Sequence, residues 1–327
     1  MRRVAPAITL FFLSPLIAEF LLGDFTFTLL PILLLLAPMY GGGALVIREL
    51  TRRAGRGWPT TVLLALAYGV LEEGLTTQSL FDPNYADAHL LDQGFVPALG
   101  IAVPWTIFVL ALHAVWSISV PIALVEEWTS RRTTPWLGNR GLVVCCLLLA
   151  LGIFGTTASS YGNDHYIAAW PKLLTVVVIV IALVVVAFTR PRRRSTASTV
   201  APHAWIVFVV ALAAGGLFFG ADHLPLVPAV IGMLVALGGI VAAILLWSRR
   251  LGWGTWHRFA AAAAGVLTYA WHSFTTDPLA GGSPVITPIS HAFFALAAVA
   301  LLLIEARHLR ERVTAAPDPA PAVASEG

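Results

Sequence analysis

The chain has 327 residues, of which 58% are apolar and only 11% charged, and its formal net charge is +3. A water-soluble domain of this length needs a more highly charged surface, so the composition excludes one and points to a chain solvated by lipid. The positive charge sits in short segments between apolar runs, which makes it a topological signal and argues against a nucleic-acid partner.

In chain order, apolar runs long enough to cross a bilayer lie near residues 4–22, 25–47, 59–81, 100–125, 141–159, 170–189, 204–220, 227–247, 259–275 and 289–305. Backbone polar groups in lipid must pair within their own segment, so these runs are helices. The expected fold is all-α: a polytopic transmembrane helix bundle of about ten spans. One transmembrane domain covers residues 1–312. The Ala- and Pro-rich remainder, 313–327, is expected to be a disordered cytoplasmic tail. The basic, apolar start reads as a retained first span, because no small-residue cleavage site follows it. Cys145 and Cys146 are adjacent and have no third partner, so they read as packing residues.

Arginine sets the orientation. With ten spans, all nineteen arginines fall on one side and seven of the eight aspartates on the other. The positive-inside rule makes the arginine side cytoplasmic, with both chain ends there, as in a multi-pass protein of the plasma membrane. Glu126 and Glu127, at the inner interface, read as a surface pair. The segment Phe81–Gly100 is the longest outer loop and reads as a connector, with a lid as the alternative. The glycines 41–43 read as a close-packing or kink site. A five-plus-five inverted arrangement would relate the fourth span to the ninth, and each carries a central histidine.

Ionisable groups in hydrocarbon cost about 2.5–3.5 kcal/mol each on insertion scales and therefore mark sites. Here they are Glu19, Glu72, Glu73, His113, His272 and His291. At a rise of 1.5 Å per residue, Glu19, Glu72, His113, His272 and His291 come out about 18–22 Å from the inner ends of their spans. Five helices thus place an acid or an imidazole in one layer. Glu19 also has the alternative of reaching the outer interface, and His291 that of bonding between helices. The third span is the most polar, reading YGVLEEGLTTQSLF over residues 68–81. Its two glutamates project about 100° apart on an α-helix, so one is expected at the centre of a site and the other behind it. Carboxylate and imidazole suit Zn²⁺, with Glu72, His113 and His272 as ligands and Glu72 or Glu73 as the base that activates water.

The run EEGLTTQSLF at 72–81 resembles the first motif of the CAAX protease and bacteriocin-processing family of intramembrane metalloproteases. Phe108 with His113 resembles the second motif, with one residue more between them, and His272 with Thr276 partly matches the third. Thr77 stands where that family has an arginine. The resemblance implies Glu72 as the base and His113 and His272 as metal-site residues.

Three readings of function follow. The first is a metal-dependent, peptidase-like intramembrane hydrolase acting on a membrane-embedded peptide or lipid. The second is a proton-coupled transporter of a small molecule or lipid, built on the carboxylate pair. The third is a non-catalytic accessory membrane subunit whose buried polar layer holds helices together.

Overall fold

A computed structural model of the protein describes residues 4–191 and 198–314, except the side chain of Val313. Ten helical segments occupy the ten apolar runs. They are α1 (Ala5–Leu21), α2 (Phe27–Arg53), α3 (Trp58–Leu71, continued by a π-helical turn Glu72–Thr76), α4 (Val103–Trp128) and α5 (Asn139–Asp164). They continue with α6 (Trp170–Thr189), α7 (Ala204–Ala221), α8 (Leu226–Trp247), α9 (Thr255–His272) and α10 (Ile286–Thr314). The final helix runs on past residue 312, so the domain extends slightly beyond the expected boundary. Residues 315–327 of the expected tail lie outside the described residues. The loop between α3 and α4 is more than a connector, because it carries a short antiparallel pair, Phe95–Val96 against Ile101–Ala102.

Seven of the helices, α2, α4, α5, α6, α7, α8 and α10, are by themselves long and apolar enough to span a membrane. The shorter α1 is apolar as well. The two that fall short, α3 and α9, do so for one physical reason. Both are largely enclosed by other helices, so neither has to present a lipid-compatible surface. Nine residues of α9 are buried, five of them alanines. At the other extreme, only 11% of the apolar stretches of α5 and α6 are buried within the protein, and their Val- and Leu-rich faces are left for lipid.

Two cores meet at the centre. One joins α1, α4, α7, α8, α9 and α10 around Phe20, Trp116, Phe218, Phe219 and Tyr269. The other joins α1 to α6 around Met39, Leu45, Tyr68 and Ile118. Helices α1 and α4 belong to both and form the spine of the bundle. Close approach is carried by the glycines 41–43, as their sequence implied. A Cβ at Gly41 would land on the Phe11 carbonyl oxygen, and one at Gly43 would come 2.5 Å from the Tyr68 ring.

The arginine-bearing end is held by buried ions. Arg48 lies 2.7 Å from Glu49 and 3.1 Å from Glu126, and Arg52 closes on Glu126 at 2.5 Å. The remaining donors of Arg48 reach the carbonyls of Arg131, Arg132 and Thr134, and its guanidinium covers the Trp136 ring at 3.4 Å. Glu49 accepts the backbone N–H groups of Trp136 and Leu137. Glu127 binds Arg258 of α9, and its carbonyl accepts from Arg312 of α10. Glu126 and Glu127 are thus not the surface pair expected; they are 0% and 3% exposed. The segment 129–137 folds back over the end of α4 and encloses them, a fold-back that helix periodicity does not announce.

Candidate functional site

The site starts from three departures from α-helical geometry. Helices α1, α3 and α4 each contain a π-helical segment: Leu16–Leu21, Glu72–Thr76 and Leu112–Ser119. These hold Glu19, the pair Glu72–Glu73, and His113. Wide turns of this kind cost helix stability and concentrate at functional sites.

In α3 the wide turn has a traceable cause. The Thr77 N–H donates to the Glu72 carbonyl five residues back at 2.8 Å, and its hydroxyl oxygen lies 3.1 Å from the same carbonyl. Gln78 then takes a left-handed backbone with φ of 60°, a region that non-glycine residues seldom occupy. Its side-chain oxygen is held by the Ala168 N–H at 2.7 Å. The chain reverses there, and Ser79 returns to donate its hydroxyl to Glu73. On an unbroken α-helix these two residues would project about 120° apart.

Glu73 is consequently well satisfied. Its Oε2 accepts from Ser79 and from the Thr77 hydroxyl at 3.1 Å, and its Oε1 lies 2.7 Å from His113 Nε2. Trp105 Nε1 supports Ser79 from behind at 3.2 Å. The other ring nitrogen of His113, Nδ1, is 3.2 Å from Glu72 Oε2 and 3.4 Å from the Ser117 hydroxyl. Glu72 Oε2 nonetheless makes no close hydrogen bond in this arrangement, although the residue is only 2% exposed; the Tyr68 hydroxyl is the donor that faces its carboxyl group. The imidazole therefore sits between two carboxylates of one helix. The expectation that the 100° offset would keep the two glutamates apart fails because the π turn and the bridging ring bring both to one group.

The surroundings position the ring. Tyr40 of α2 stacks on His113 and Tyr68 meets it edge-on, each with ring centroids 6.0 Å apart. A Cβ at Gly69 would come 3.0 Å from the Cβ of His113, so glycine lets α4 approach α3 at this level. Half-buried Glu19 faces the Tyr40 hydroxyl from α1. Donor atoms of Glu72, Glu73 and His113 all lie within 4.8 Å of one another. Two carboxylates and an imidazole at that spacing suit a divalent cation, although the ring would have to give up one of its carboxylate contacts to become a ligand.

Four of the six ionisable residues singled out in the spans thus gather around Tyr40 and Tyr68, and two do not. His272, expected as a metal ligand, lies outside the cluster. Its ring stacks on Phe219 with centroids 3.9 Å apart, and its Nδ1 is 3.1 Å from the Thr275 hydroxyl. His291 is buried against Gly23 and Phe274 near the start of α10. Phe108 stacks on Phe218 and Trp105 and takes no part in the cluster. The reason is rotational: helix rise sets height, but not the direction in which a side chain leaves the helix. Sequence reasoning missed Tyr40 and Gly69 as partners of the site. Gly69 carried a readable signal, since it precedes Glu72 and Glu73 by three and four residues and so shares their face.

No curated protein and no solved structure matches the chain. A family model described as an uncharacterized membrane protein family matches residues 8–315, nearly the whole chain, and the protein belongs to that family.

Proposed function

We propose that the protein is an intramembrane hydrolase in which Glu72 and His113 activate water to cleave a membrane-embedded peptide or lipid-linked bond. The observation that carries this reading is the pairing of a fixed imidazole with an unsatisfied carboxylate oxygen. Glu73 holds His113 through Nε2 and fixes the orientation of its ring, the part an orienting acid plays in a catalytic triad. Glu72 faces the Tyr68 hydroxyl, and its Oε2, which makes no close hydrogen bond, is the acceptor for a proton of water. His113 Nδ1, 3.2 Å from Glu72, is placed to relay that proton to the leaving group. A divalent cation bound by Glu72, Glu73 and His113 would make the water more acidic.

The rival reading, proton-coupled transport, draws support from Glu19 and Tyr40, which extend the run of titratable groups to a third helix. One experiment separates the two. Purified protein in vesicles is incubated in ¹⁸O-water with membrane peptides and lipids extracted from the source cells, and products are read by mass spectrometry. The hydrolase reading predicts ¹⁸O in new carboxyl or headgroup termini, lost in Glu72→Gln and His113→Ala proteins that remain folded. Unlabelled products throughout, together with a vesicle proton flux that Glu72→Gln abolishes, would replace it with transport. Metal analysis of the same preparations tests zinc, whose loss in His113→Ala is expected if the cation belongs to the site.

A further inference from the structure

A cleft of about 780 Å³ opens between α7, α9 and α10 at the arginine-bearing end, remote in the fold from the Glu/His cluster. Its walls are apolar, with Phe208, Leu267 and Leu302 among them, and the small residues Ala260 and Ala263 of α9 leave the space. Its floor is a junction of two loops. Val200 and Leu251 form a parallel bridge, the Ala201 N–H donates to the Leu251 carbonyl at 2.8 Å, and the Leu251 N–H donates to the Thr199 carbonyl at 3.0 Å. The volume is that of a ligand site, not of a packing defect.

The few polar groups at the cleft are of one kind. Arg310 lies on its rim, exposed, and Arg307 is one helical turn away, also exposed. Neither makes an ion pair among the described residues, although Glu311 follows directly in the chain. His203 accepts the Trp205 N–H at Nδ1, so its proton is on Nε2 and that nitrogen is a donor. His257 is already engaged, with the Pro202 carbonyl at Nε2 and the Gly254 N–H at Nδ1. Among the described residues, the rim therefore offers donors and positive charge and no anion. Trp205, 60% exposed, and Trp256 flank the cleft, as aromatic residues do where hydrocarbon gives way to headgroups.

We propose that this cleft binds an anionic phospholipid, with its acyl chains along α9 between α7 and α10 and its phosphate at Arg310 and His203. An apolar channel open to the bilayer admits acyl chains, and the unpaired arginine selects the sign of the headgroup. Basic pockets between membrane helices recognise anionic lipids on this physical basis.

The test uses the full chain in vesicles containing equal amounts of phosphatidylglycerol and phosphatidylcholine, followed by gentle extraction and native mass spectrometry of the retained lipid. Phosphatidylglycerol should be retained over phosphatidylcholine by about fivefold or more, the effect of one arginine near an anionic group. Arg310→Gln should bring the ratio close to one. Ala306→Phe, which narrows the cleft from α10, should reduce retention of both lipids. Equal retention of the two lipids by the unaltered chain, or an unchanged ratio in Arg310→Gln, would overturn the proposal. Arg310 is a surface residue, so this variant reads the site without challenging the fold.

Discussion

Two buried polar clusters stand at different heights in this bundle, and their charge balance differs. At the arginine-bearing end, the buried Arg48 and Arg52 face Glu49 and Glu126, with the partly exposed Arg53 3.7 Å from Glu49, and every side-chain polar atom of the four buried residues has a partner. Higher in the bundle, Glu72 and Glu73 share one imidazole, and one oxygen of Glu72 makes no close hydrogen bond. Leaving a buried polar atom unsatisfied costs about 1–3 kcal/mol. The first cluster, with its buried ions fully bonded, is a fastening, and the second is the one on which the proposed chemistry rests.

The sharpest way to break this distinction is to remove a charge from the balanced side. Arg48→Ala leaves Glu49 and Glu126 buried with too few cations and strips the carbonyls of the 131–134 segment of their donor. Loss of one partner of a buried pair costs about 3–5 kcal/mol. The expected result is a large fall in melting temperature in detergent, with much of the protein aggregated after extraction. A melting temperature within a degree or two of the unaltered chain would remove the basis for calling this cluster a fastening.

A smaller effect is expected at the support of the second cluster. Ser79→Ala deletes one hydrogen bond to the Glu73 carboxylate and leaves Trp105 Nε1 without its acceptor. Bonds to charged groups contribute about 1.5–3 kcal/mol. Stability should fall by that order, and hydrolytic turnover should fall as well, because Glu73 then holds His113 less firmly. Retained turnover at lowered stability would show that Ser79 supports the fold and not the imidazole.

Glu72→Gln sharpens the contrast by reversing the sign. The amide removes a buried carboxylate, one of whose oxygens makes no close hydrogen bond, and supplies N–H groups in its place. Stability should hold or rise by about 1 kcal/mol, while ¹⁸O incorporation is lost. A large loss of stability would mean that Glu72 belongs with the fastenings.

The sequence disclosed one side of this comparison better than the other. The ten helical segments were legible because lipid demands long apolar runs, and the placement of the charges separated the loops cleanly. The carboxylate pair and His113 stood out because ionisable residues in such runs are rare and costly. Their union was not legible. It depends on a π turn set by Thr77 and a backbone reversal at Gln78, and neither leaves a periodic trace. The same limit applied at the arginine-bearing end, where Glu126 looked exposed because the enclosing segment 129–137 carries no apolar pattern of its own. Its opposite-sign neighbours Arg48 and Arg52, close to the same end of another helix, were the available hint.

The smallest expected effect concerns the two histidines that an inverted five-plus-five arrangement would equate. Helix rise gives His113 and His272 similar heights on the fourth and ninth helices, yet one is clasped by carboxylates and the other rests on an aromatic ring. His272 contributes a flat face to Phe219 and an acceptor or donor to Thr275, whose hydroxyl also bonds the His272 carbonyl at 2.7 Å. Phenylalanine preserves the face, and the hydroxyl keeps its backbone acceptor. His272→Phe should therefore alter stability by less than about 1.5 kcal/mol, as volume-conserving exchanges do, and leave turnover and zinc content unchanged. The metal-site role implied by the family resemblance predicts instead that both collapse. A folded His272→Phe protein with no activity would restore His272 to the site and require α9 to turn toward α3 during the reaction.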